Sequence, residues 1–187
     1  MIVKPGTESL AKAAKDASRK GPPPVHLWNP PFCGDLDMRI ARDGTWFYLG
    51  TPIGRPGLVR LFSSILRKDG DDFFLVTPVE KVGITVDDAP FVAQDFSITG
   101  NGLDQVVTFT THVGDTASAG PDNPIRVERD RTTGEPSPYV LIRANLEALI
   151  DRKSFYRLID LGVEHDGQFG IWSNGTFFPF IPVSELI

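Results

Sequence analysis

Leu36, Met38 and Ile40 alternate with Asp35, Asp37 and Arg39, the period-two pattern of a half-buried strand. Asp43-Gly44 reads as a two-residue hairpin turn, with a returning strand over 45–50. In that register Ile40 faces Phe47, Arg39 faces Tyr48 and Ala41 faces Trp46. One face then carries Met38, Ile40, Phe47 and Leu49 and is core. The other carries Asp35, Asp37, Arg39, Trp46 and Tyr48.

The period changes after the loop T-P-I-G-R-P-G. Leu58, Leu61, Phe62, Ile65 and Leu66 follow helical spacing and predict a helix over 57–68, ended by Asp69-Gly70. Strands are expected at 73–77, 80–86, 91–99 and 105–113. A polar, irregular stretch over 114–138 holds a short edge strand at 125–127. The run 139–143 is strand-like. Asn145 then heads an expected helix through 152, and Ser154 a second through 161. Ser173-Asn174-Gly175-Thr176 turns a hairpin between 169–172 and 177–180. At the start, alanine and lysine favour a helix over 9–20. Gly-Pro-Pro-Pro at 21–24 stops it, which makes 1–24 a peripheral helical arm with a proline linker.

Part of this pattern occurs twice. At a shift of 97 residues, L-V-R-L-F-S-S-I-L-R-K-D-G (58–70) lies over F-Y-R-L-I-D-L-G-V-E-H-D-G (155–167) without a gap. Arg60 meets Arg157, Leu61 meets Leu158, and Asp69-Gly70 meets Asp166-Gly167. Both segments run into an apolar strand. Periodicity alone does not require an arginine off the apolar face, so an internal duplication is favoured over coincidence.

Composition narrows function mainly by exclusion. The 187 residues include 18 glycines and 16 prolines, which suits short strands and many turns. A net charge of −5 with no basic run argues against nucleic-acid binding. Arg126, Arg129 and Arg131 alternate with Glu128 and Asp130 and read as a solvated loop. The chain has no apolar run of membrane-spanning length and its N-terminus lacks a secretory apolar stretch, so neither a membrane nor export is expected. With a single cysteine, Cys33, a cytoplasmic location is the expectation. His26, His112 and His165 are not at ligand spacing, and no structural metal or cofactor is expected. Asp35 and Asp37 share a strand face and could serve a hydrolase, but Arg39 continues the row, and ion pairing explains it equally well. No complete catalytic motif is present, and no catalytic residue is assigned.

Several longer motifs carry a resemblance. W-N-P-P-F-C-G-D-L-D-M-R-I (28–40), D-G-T-W-F-Y-L-G-T-P-I-G-R (43–55), L-V-T-P-V-E-K-V (75–82), A-G-P-D-N-P-I-R-V (119–127) and G-I-W-S-N-G-T-F-F-P (170–179) resemble the bacterial domain of unknown function 1285 family. The resemblance implies two domains with a repeated core motif, and a C-terminal lobe similar to a pleckstrin-homology domain. It also implies a role in signalling with a nucleotide-like ligand at the domain interface. It supplies no catalytic residues.

The expected architecture is α+β in two β-rich lobes, 25–81 and 82–187, with a repeated helix–turn–strand motif. The leading functional expectation is a ligand-sensing or regulatory binding module with a signalling protein partner. A protein-interaction scaffold is the first alternative and a hydrolase using the paired aspartates the second. The expected ligand site is lined by Arg39, Trp46, Tyr48, Arg55 and Lys81, where guanidinium groups beside aromatic rings suit a planar ring joined to a phosphate.

Overall fold

The computed structural model describes residues 6–186. The chain divides into two compact units, 1–88 and 89–187.

The N-terminal unit is built on a six-stranded sheet. Its strands are β1 (Phe32–Ile40), β2 (Trp46–Tyr48), β3 (Thr51–Pro52), β4 (Leu66–Asp69), β5 (Asp72–Val76) and β6 (Lys81–Val86). Their spatial order is β3-β2-β1-β6-β5-β4, with β1 and β6 parallel and the other pairs antiparallel. The expected boundary after Lys81 is therefore displaced. β6 pairs with both β1 and β5 in the middle of this sheet, so it cannot begin the next unit.

Helix α1 (Thr7–Ala17) packs against α2 (Pro56–Ser64), and its Leu10 and Ala14 are fully buried. The α1 helix, expected to be peripheral, is thus part of the unit's core. The α2 helix also stops earlier than expected. The hydroxyls of Ser63 and Ser64 donate to the carbonyls of Arg60 and Leu61, the backbone leaves helical geometry at Ile65, and 66–69 become a strand. Phe62, Ile65 and Leu66 remain buried. They satisfy an apolar stripe and then a strand with the same side chains.

The C-terminal unit holds two sheets. The first contains β7 (Phe91–Thr99), β8 (Val106–Thr111), β9 (Thr116–Ser118), β10 (Ile125–Arg129), β11 (Pro136–Arg143) and β12 (Leu146–Ile150), in the order β10-β11-β12-β7-β8-β9. The second contains β13 (Val163–His165), β14 (Gln168–Ser173) and β15 (Thr176–Pro182). β12 replaces the helix expected after Asn145. Leu146, Ala148 and Ile150 are buried while Glu147 and Leu149 are half-buried, which is strand alternation. Between β12 and β13 lies α3 (Arg152–Asp160), capped by Asp151, whose carboxylate accepts the Ser154 N–H at 2.8 Å.

Ser173 ties the two sheets together. Its buried hydroxyl accepts from the Val107 N–H at 2.9 Å and donates to the Ala119 carbonyl at 2.7 Å. On β15, a bulge opposite Phe169 and Gly170 brings Phe180 into play, and its ring meets Phe155 of α3 at 5.3 Å.

Candidate functional site

The loop between β1 and β2 decides which side chains reach solvent. Ala41 and Thr45 close it with a 2.9 Å backbone hydrogen bond, leaving Arg42, Asp43 and Gly44 as a three-residue loop. Gly44 takes φ 89°, the left-handed position that such a loop needs, and Asp43 accepts the Thr45 N–H at 2.9 Å. The observed register is Met38 opposite Tyr48, Arg39 opposite Phe47 and Ile40 opposite Trp46. This is one residue off the expected register, and such a slip exchanges the faces of the returning strand.

The expected site changes accordingly. Trp46 leaves the outer face, is 1% exposed, and stacks on Phe62 of α2 at 6.3 Å. Tyr48 is half-buried opposite Met38. Leu49, expected in the core, is an exposed turn residue. Phe47 takes the place by Arg39, whose guanidinium lies 4.7 Å from its ring centroid. Arg39 also pairs with Asp87, which follows β6. Leu36, Asp37, Arg39, Phe47, Gly50 and Thr85 line a cleft of about 200 Å³ here.

Lys81 and Thr85 alternate along β6 onto one face, and Thr85 pairs with Arg39. Lys81 donates to Asp69 at 2.7 Å and lies 4.0 Å from the Phe74 ring centroid. Asp69 also accepts two bonds from Arg67 at 2.9 Å, and this pair, with Lys81 beside it, holds the Asp69 carboxyl below the ordinary carboxylate range. Arg67 further donates to the carbonyls of Val25 and Trp28, fastening that segment to β4. Lys81 is thus committed to an ion-pair cluster. Arg55 is the exposed N-cap residue of α2, which begins with Pro56, and makes no side-chain cap bond. Within this unit Arg39 is the member of the expected set that lines the cleft. The three-residue loop brings Phe47 opposite Arg39, where a two-residue turn predicts Tyr48.

The paired aspartates part company. Asp37 lines the Arg39 cleft, whereas the Asp35 carboxylate fills the space that a Cβ on Gly83 would take. Among the described residues, no group of three His, Cys, Asp or Glu side chains is placed to hold a metal ion. Cys33 donates weakly to the Pro31 carbonyl at 3.4 Å. His112 accepts the Val92 N–H at 3.2 Å, and His165 packs edge-on against Trp172 and Phe177. Arg126 pairs with Glu147 and Glu128 and covers the Tyr139 ring, as an ion-pairing surface strand does.

Two family models match in tandem, the N-terminal domain of the DUF1285 domain of unknown function over residues 23–89 and the C-terminal domain over 90–180. The chain belongs to the DUF1285 family. The crystal structure of a DUF1285 family protein from Silicibacter pomeroyi DSS-3 is 68% identical, covers 94% of this chain and 96% of its own, and superposes with a TM-score of 0.88. A second DUF1285 family protein, from Shewanella baltica OS155, is 28% identical over 67% of this chain and 91% of its own, with a TM-score of 0.54. No curated protein matches the chain. The junction between the two DUF1285 domains falls within a residue of the division between the compact units. Among the described residues no helix is long and apolar enough to cross a membrane.

Proposed function

We propose that this DUF1285 protein is a regulatory binding module that senses a small, planar, anionic ligand of nucleotide type in the Arg39 cleft and passes that state to a signalling protein. One observation carries the reading: the Arg39 guanidinium stands over the Phe47 ring in a solvent-accessible cleft and uses a single N–H on Asp87. The remaining N–H groups are open to phosphate oxygens. The Phe47 ring and the Gly50 backbone offer a surface on which a flat base can lie. The Asp87 ion pair orients the guanidinium, and it also selects against weak anions, since a ligand must share the cation with a carboxylate.

The test is thermal shift with nucleoside mono-, di- and triphosphates. A ligand at 100 times its Kd adds about 2.7 kcal/mol. At this chain length that raises the Tm by several degrees, at roughly 2–4 °C per kcal/mol. Arg39→Ala should abolish the shift while leaving the unliganded Tm near that of the wild type. No shift with any of the nucleotides would overturn the reading. The scaffold alternative would then lead, favoured by β13, an exposed strand at the edge of its sheet that can accept a strand from a partner.

A further inference from the structure

The C-terminal unit carries a second cleft, of about 460 Å³, between β7 and the last turn of α3. It is shallow and open to solvent. Phe96, Ser97, Ile98, Arg157, Asp160 and Leu161 line it. Two charges of opposite sign therefore face an apolar wall.

The two charges differ in how they are held. Arg157 is fixed: it donates to the Asp95 carboxylate at 2.5 Å and to the Phe96 carbonyl at 3.3 Å, and its guanidinium lies 4.3 Å from the Phe96 ring centroid. Two contacts leave the rest of its N–H fork open. Asp95 is consumed by this pairing, with Lys153 adding to the local positive potential, and its carboxyl sits below the ordinary carboxylate range because Arg157 donates to it. Asp160 is different. It is exposed and, among the described residues, has neither a hydrogen-bond nor an ion-pair partner. It stands three residues beyond Arg157, one helical turn along the same face, with Cβ atoms about 5–6 Å apart. It also ends α3, where the helix carbonyls add negative potential. Leu161, the next residue, is an apolar side chain left 44% exposed at the rim.

We infer that this cleft binds a zwitterionic amino acid with an apolar side chain. The ligand carboxylate takes the open N–H groups of Arg157. The ligand ammonium, on the adjacent carbon, takes Asp160 and the carbonyl end of α3. The side chain lies against Phe96, Ile98 and Leu161. A plain anion fits less well, because Asp160 would repel it. A plain cation would meet Arg157. Only a ligand bearing both charges a few ångströms apart satisfies both. This site is separate in sequence and chemistry from the Arg39 cleft and does not depend on it.

Titration calorimetry on the full chain tests the assignment, with L-leucine and L-phenylalanine as probes and two charge-stripped analogues of leucine. N-acetyl-L-leucine lacks the ammonium and L-leucinamide lacks the carboxylate. Leucine or phenylalanine should bind, and both analogues should lose at least about tenfold in affinity. Asp160→Asn should weaken leucine about tenfold and strengthen the residual binding of N-acetyl-leucine, since that ligand has no ammonium to lose and is no longer repelled. Because Asp160 is exposed, the variant should fold like the wild type. Arg39→Ala should leave leucine binding unaltered. No binding of either amino acid at about 10 mM, N-acetyl-leucine binding as well as leucine, or an indifferent Asp160→Asn would each overturn the inference.

Discussion

The same order of elements occurs once in each unit, at the offset of 97 residues seen in the sequence. In the N-terminal unit α2, β4 and β5 span 56–64, 66–69 and 72–76. In the C-terminal unit α3, β13 and β14 span 152–160, 163–165 and 168–173. A third strand follows each time, β6 and then β15, antiparallel to the one before it. What differs is what that third strand does next. β6 pairs in parallel with β1 and joins the hairpins into one six-stranded sheet. β15 ends a separate three-stranded sheet, and the link to the neighbouring sheet is made by Ser173 instead. The residue aligned with Ser173 is Val76, whose N–H goes to the Ile65 carbonyl within its own motif. One helix-and-meander unit thus serves two architectures, and the choice rests on a few positions where backbone or buried polar groups meet.

Glycines in the two meanders offer the most severe way to separate them. A Cβ on Gly170 of β14 would overlap the Phe178 carbonyl oxygen and stand 2.8 Å from the Pro179 Cα. Both are backbone atoms at the bulge, and neither can move without opening the sheet. A Cβ on Gly83 of β6 would overlap the Asp35 carboxylate, the far end of an exposed side chain that can swing away. Gly170→Ala should therefore cost about 3 kcal/mol, and Gly83→Ala within about 0.5 kcal/mol. Urea titrations of both variants check this. Equal losses would mean that Asp35 is as immobile as backbone, and that the two meanders tolerate change alike.

Helix starts differ as well, and more gently. α3 has a side-chain cap from Asp151, while α2 begins at Pro56 behind Arg55 with no side-chain cap bond. Asp151→Ala should cost about 1 kcal/mol, and Arg55→Ala should stay within about 0.5 kcal/mol. Denaturant midpoints with unchanged slopes would measure the difference. A costly Arg55→Ala would assign that side chain a contact beyond its place at the helix start.

These elements also show what was legible in the sequence. The offset repeat could be read because apolar spacing and the Asp-Gly pairs were kept in both copies. The helix ends could not, because Leu66 continues a helical stripe while serving as a strand residue, and Leu146 to Ile150 look helical by composition though they alternate by burial. The candidate site failed on one count of one loop. Asp-Gly suits both a two-residue and a three-residue hairpin, and the second moves Trp46 and Tyr48 off the Arg39 face and Phe47 onto it. The position of Arg39 does not depend on that count, because it lies on β1, ahead of the loop. The Arg157 cleft gave no sequence signal, since β7 and α3 are more than fifty residues apart and are brought together only by the fold.

Turns provide the smallest test and the one with an unusual sign. Four described residues other than glycine have a left-handed backbone: Leu49, Ala144, Asp166 and Asn174. Asp166-Gly167 and Asn174-Gly175 are the pairs that two-residue hairpin turns favour, and both lie in the C-terminal meander. Leu49-Gly50 makes the corresponding turn between β2 and β3, with Tyr48 opposite Thr51. Leucine is poorly suited to φ 49°, because its Cβ crowds the following carbonyl, and asparagine tolerates the region far better. Nor does burial compensate, as the Leu49 side chain is 64% exposed. Leu49→Asn should therefore stabilise the N-terminal unit by about 0.5–1 kcal/mol, seen as a higher denaturant midpoint. The Leu49 N–H donates to the Asp37 carbonyl, a bond that asparagine retains. The reverse change in the other unit, Asn174→Leu, should destabilise by a similar amount. If Leu49→Asn instead lowers stability, the leucine side chain is packed in solution, and the turn beside the Arg39 cleft is covered rather than open.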